Sequence, residues 1–118
     1  MTFPPWRDLK LLEDKLAKLV SLGVKPNDCD VEQLRLLFEK CSSAPDAEEA
    51  IVYHGAKSLI EQFSGNISRA IFHRKKEISF INKLRRISKE DSPGLVGYQQ
   101  SDLDLRHALL VKLKKINK

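Results

Sequence analysis

Residues 67–88, ISRAIFHRKKEISFINKLRRIS, decide the fold. Successive residues of a helix turn by about 100°, and on that wheel Ile67, Ile71, Ile78, Ile81 and Leu84 fall within one apolar arc. The stretch therefore predicts an amphipathic helix, started by Asn66 or Ser68 and running to about Ser88. Opposite the apolar arc, Arg69, Lys75, Lys76, Lys83 and Arg86 lie together, and Glu77 falls away from them. Arg74 and Arg85 instead fall inside the apolar arc, where a lone charge is expensive. Each needs a carboxylate, a path for its charged end to water, or a ligand. Phe72 and Phe80 lie nearer the basic face than the core stripe, so they either offer stacking to bases or pack against a neighbouring helix.

The same periodicity extends in both directions. Before this stretch, Ser43, Pro45 and Asp46 begin a helix whose Ile51, Val52, Ala56, Leu59, Ile60 and Phe63 form a stripe broad enough for a central element, stopped by Gly65. Earlier still, Asp30 with Gln33 three residues later makes a capping pair for a helix carrying Val31, Leu34, Leu37, Phe38 and Cys41. Lys25-Pro26-Asn27-Asp28 precedes it as a turn. The first helix is expected from about residue 5 to 22, with Leu9, Leu12, Leu16, Leu19 and Val20 on one face and Gly23 at its end. Trp6, placed ahead of that helix, is expected to close the bundle as a staple.

After the basic stretch, Glu90 to Gln100 reads as a loop through Ser92-Pro93-Gly94 and Gly97. Ser101 with Asp104 then caps a last helix through Leu105, Leu109, Leu113 and Ile116, the element expected to dock loosest. Sustained period-two alternation, the mark of a half-buried strand, is missing. The expectation is an all-α, single-domain bundle of four to five helices over residues 1–118, with mostly antiparallel neighbours.

Charge divides the chain. Residues 1–60 carry 8 Lys/Arg against 10 Asp/Glu, a net −2, whereas residues 61–118 carry 13 against 6, a net +7. Such asymmetry points to a polyanion or an acidic surface as partner, and it also permits head-to-tail self-association into a homo-oligomer. The apolar runs are far shorter than the roughly 20 residues that cross a bilayer, and Met1 to Pro5 lacks the charged start and apolar core of a secretory signal. The expectations are no membrane and an intracellular site, cytoplasmic or nuclear.

Little in the chain suggests catalysis. His54, His73 and His107 are isolated in sequence, with no metalloprotease pair, glycine-rich phosphate loop or serine elbow. Arg69 and His73, one turn apart, resemble in residue type the Arg/His pairs that cleave phosphodiesters, but so short a pattern arises easily by chance. Asp28/Asp30 and Glu48/Glu49 are helix-start charges favoured by the macrodipole. Cys29 and Cys41 are too sparse for a zinc cage or a disulfide framework and are expected as buried thiols. No metal and no cofactor are expected. Arg85-Arg86-Ile87-Ser88 has a basic-then-serine form that some kinases accept.

Together these features predict a non-catalytic helical domain that binds RNA or DNA by phosphate contacts. Arg69, Lys75, Lys76, Lys83 and Arg86 form the surface, with Arg74, Arg85 and Lys89 as additions. Lysines of the last helix, Lys112, Lys114, Lys115 and Lys118, extend it if that end lies nearby. The alternative is a protein-interaction adaptor or small subunit, in which the basic helix meets an acidic protein surface.

Overall fold

A computed structural model describes residues 4–41, 47–91 and 100–116, with side chains over 5–41, 49–86 and 100–116. Five helices follow one another: α1 (Pro4–Ser21), α2 (Asp28–Lys40), α3 (Ala47–Phe63), α4 (Ile67–Asp91) and α5 (Gln100–Ile116). No strand occurs among the described residues. Each helix packs on the next in the chain with described residues on both sides, and α1 also packs against α3 and α5, giving the expected all-α bundle.

Two glycines set the turns. α1 and α3 both end with a glycine in the left-handed region, Gly23 at φ 77° and Gly65 at φ 87°, which a residue with a Cβ adopts only with strain. At each, paired backbone bonds close the helix: Gly23 N–H donates to the Val20 carbonyl (3.0 Å) and Val24 N–H to Leu19 (2.9 Å). Gly65 N–H donates to Gln62 (3.1 Å) and Asn66 N–H to Glu61 (2.8 Å).

Several local expectations shift. The N-cap of α2 is Asn27 rather than Asp30, its side-chain oxygen accepting from the Asp30 N–H at 2.7 Å, so the helix starts one turn early. Ser101 lies inside α5, one residue after its start. α4 runs past Ser88 to Asp91 and α5 starts at Gln100, so both ends of the expected 90–100 loop are helical; the glycines of that loop and the expected start of α3 at Ser43 to Asp46 lie outside the described residues. Trp6 is buried, but within α1 rather than before it.

The apolar core has two parts sharing α3. Trp6, Leu9, Leu16, Leu34, Val52, Ala56 and Leu59 pack α1, α2 and α3 together. Ile51, Ile78, Ile81, Leu103 and Leu110 pack α3, α4 and α5. α5 is not loosely docked. Leu103, Arg106, Leu109, Leu110 and Leu113 are all buried, so its inner face is part of the interior.

Candidate nucleic-acid interface

α4 is one uninterrupted helix of 25 residues, so charges scattered in sequence become a line in space. From Ser68 to Arg86 its exposed side chains are Ser68, Arg69, Phe72, Lys75, Lys76, Ser79, Asn82, Lys83 and Arg86, with no acid among them. At 1.5 Å per residue, Arg69 and Arg86 stand about 26 Å apart along the axis. No ion pair among the described residues involves any of the five cations. Phe72 is 54% exposed amid them, with the Lys76 ammonium 5.7 Å from its ring centroid, a cation–π pair on the open face. Phe80 is half-buried and stacks on His54 at 5.6 Å.

The three additional cations separate from this strip. Arg74 is completely buried and contributes nothing to the surface. Arg85 is half-buried on the side of α5, where its guanidinium donates to Gln100 Oε1 at 3.1 Å; the Gln100 amide in turn donates to Asp104. The side chain of Lys89 lies outside those described. From the last helix, Lys112 and Lys115 line a groove with Ile67, which belongs to the apolar arc of α4 and not to its cationic face, so they do not extend the strip. Lys118 lies outside the described residues.

Arg74 found its carboxylates. Its Nη1 donates to Glu77 Oε1 at 2.5 Å and to Glu13 Oε1 at 3.3 Å. From α5, Arg106 donates through Nε to Glu77 Oε2 (3.2 Å) and through Nη2 to Glu13 Oε2 (3.3 Å) and Asp14 Oδ1 (2.9 Å). Burial, seconded by the neighbouring Glu77, pushes the Glu13 carboxyl up to about 8 against the pull of Arg106 and Arg74. For Arg106, burial alone favours the neutral form, but Glu13, Glu77 and Asp14 outweigh it and hold its proton above the usual value. α3 comes close here only because residue 55 is glycine: a Cβ there would collide with Glu77 Oε2 and sit 2.8 Å from Glu13 Oε1. One signal for this network was present, since Glu13 falls between Leu9 and Leu16 on the buried face of α1, just as Arg106 falls among the leucines of α5.

Sequence separation also hid a histidine pair. His54 of α3 and His73 of α4 bring their Nδ1 atoms to 3.0 Å, within a ring cluster that includes Tyr53, Phe72 and Phe80. Burial, then the nearby His54, lowers the proton affinity of His73 to about 4; burial, then Lys76, lowers that of His54. A base so depressed is poorly matched to proton transfer near neutrality. Arg69 is exposed while His73 is buried. Both thiols are free. Cys29 is exposed, contrary to its expected burial, and Cys41 is partly buried with its Sγ donating to the Leu37 carbonyl at 3.3 Å. No group of three or more metal-ligating side chains converges among the described residues.

Comparison with known protein families, with curated proteins and with solved structures finds no match to this chain.

Proposed function

We propose that this protein is a non-catalytic nucleic-acid-binding domain, and that the outward face of α4 tracks a phosphate backbone. One observation carries the proposal: from Ser68 to Arg86 every charged side chain exposed on that face is a cation. Lysine-rich helix faces often serve solubility alone, but they are usually interleaved with carboxylates, and this one is not. Phosphate recognition needs positive charge and reach, without base-specific geometry, and that is what Arg69, Lys75, Lys76, Lys83 and Arg86 supply. Phe72 adds an exposed ring against which an unpaired base can stack, which favours single-stranded targets.

Arg74 has no part in this surface, and Arg85 only a marginal one. No described helix is long and apolar enough to cross a membrane. An intracellular setting, cytoplasmic or nuclear, suits the proposal, and two free thiols, one of them exposed, are consistent with a reducing compartment.

The test is fluorescence anisotropy with labelled single-stranded RNA, single-stranded DNA and duplex DNA of unrelated sequence, across a salt series. Each neutralised phosphate contributes a slope of about 0.7–0.9 in log Kd against log salt, so engagement of all five cations predicts a slope of about 3.5–4.5. Changing Lys75, Lys76 and Lys83 together to Glu should weaken binding and remove about 2–3 from the slope. Absence of binding at about 50 mM salt, or affinity indifferent to salt, sinks the proposal.

A further inference from the structure

A second surface lies at the end of the bundle where α1 and α3 stop, α4 starts and α5 finishes. Four segments enclose an open groove of about 670 Å³, whose walls are Val20, Val24, Pro26, Phe63, Ile67 and Ile116. Its apolar groups are not all tucked away: Val24 is 49% and Ile116 56% exposed, and Leu22, on the turn that carries Val24, is 76% exposed. The glycine turn at Gly23 explains the arrangement, since it swings the chain off the end of α1 and leaves Val24 and Pro26 facing Phe63 of α3 across the opening.

The charge around the groove has one sign. Lys25, Lys112 and Lys115 line it, and no carboxylate does. Lys115 falls in the last turn of α5, where the helix dipole alone accounts for a cation, but Lys25 belongs to no helix and Lys112 sits a turn further in. The acids of this region, Asp28 and Glu32, line a neighbouring hollow on the α2 side, beyond Lys25 and Phe63.

We infer that this groove docks an acidic amphipathic helix of a partner protein. The partner lays a row of apolar side chains against Val24, Phe63 and Ile116, and its carboxylates face Lys112 and Lys115 on the α5 side, away from Asp28 and Glu32. Openness decides between a helix and a small amphiphilic ligand. Pockets for small molecules bury most of the ligand's surface; here Pro26 is buried and Val20, Phe63 and Ile67 partly so, but Val24 and Ile116 on the rim are about half exposed, so a small molecule would leave that rim in water and a partner that brings its own cover completes the burial. Charge decides between partners, because a segment bearing lysines would meet like charge on the rim with nothing to offset it. This site is separate from the proposed phosphate strip and does not depend on it.

The experiment uses the full chain and a labelled peptide of about four helical turns, with leucines at helical spacing and glutamates elsewhere. Saturable binding is expected, with amide shifts in NMR confined to the groove. Two controls are expected to fail to bind: the same leucine pattern with lysines in place of glutamates, and polyglutamate without leucines. Val24→Glu with Ile116→Glu, both at exposed positions, should abolish peptide binding while leaving thermal stability and nucleic-acid affinity in place. Lys112→Glu with Lys115→Glu should weaken the acidic peptide by about tenfold or more and admit the lysine version. Reversal of Lys75 and Lys83 should leave peptide binding unchanged.

The inference is overturned if the acidic peptide fails to saturate the protein, or if its shifts map to the α4 strip. Binding of dodecanoate but not the peptide would make the groove a small-amphiphile site instead. Concentration-dependent self-association in sedimentation, lost in the Val24/Ile116 variant, would assign the groove to a second copy of the chain.

Discussion

His73 carries the pH dependence that belongs to a single residue. Its ring lies against His54 with Nδ1 facing Nδ1, so one imidazole must donate and the other accept, and the contact survives only while the pair is not doubly protonated. After burial, which is the largest cause for both rings, Lys57, Arg69 and Glu61 act on His73, and Lys76 and Glu77 on His54, the cations lowering and the acids raising the proton affinity. Because its value falls from 6.5 in the unfolded chain to about 4 in the folded one, the folded state binds fewer protons in between. Stability present above about 6.5 is therefore lost as pH falls toward about 4. His73→Gln keeps a hydrogen-bonding side chain without the titration. Glu13, whose raised value makes the folded state gain stability as pH falls through the same range, is common to both proteins, so the shift of the urea midpoint from pH 7 to pH 5 should be less destabilising in this variant than in the parent; an equal shift would mean that His73 is not the titrating group.

At the scale of elements, α4 and α5 illustrate opposite relations between sequence and structure. α4 follows its wheel closely: Ile78 and Ile81 are buried, the five cations are exposed, and Glu77 turns inward as its position dictates. α5 was expected to be the loosest helix because it follows a loop and ends the chain, but what it buries decides its attachment. Leu103, Leu109, Leu110 and Leu113 lie in the interior, and Arg106 threads between them to carboxylates from α1 and α4. A helix so engaged opens only when much of the bundle opens. Native-state hydrogen exchange should accordingly find amides near Leu109 protected to a degree similar to those near Leu59 of α3; exchange at rates close to those of a free peptide would show α5 undocked.

At the scale of the whole molecule, the bundle has two apolar clusters with a charged joint between its outer helices. Glu13 from α1, Arg74 and Glu77 from α4, and Arg106 from α5 form one network that ties three helices, and Gly55 of α3 makes room for its two glutamates. Removing Arg106 leaves Glu13 and Glu77 to share Arg74 alone, and taking one partner out of a buried ion pair costs about 3–5 kcal/mol. Arg106→Ala should lose stability on that order at neutral pH by urea denaturation, whereas Lys83→Ala on the exposed strip should change it by no more than about 0.5 kcal/mol. Similar small losses in both would show that the joint does not hold the bundle together.

Much of the fold was legible because helix boundaries are written in local chemistry. Gly23 and Gly65 terminate helices by conformational freedom, and isoleucines and leucines at a period near 3.6 mark the inward faces. The exposure of Arg69, Lys75, Lys76, Lys83 and Arg86 followed from the same wheel. Arg74 was legible only as a problem: its place in the apolar arc demanded a partner, but that partner includes Glu13, 61 positions away in sequence. The pairing of His54 with His73, the convergence of Arg106 on Glu13 and Glu77, and the groove joining Val24, Phe63, Ile67 and Ile116 likewise depend on how helices stack. Periodicity within one segment specifies which side of a helix turns inward. Which residue of another helix it meets there is set by the packing of whole surfaces against one another, a property that no single segment contains.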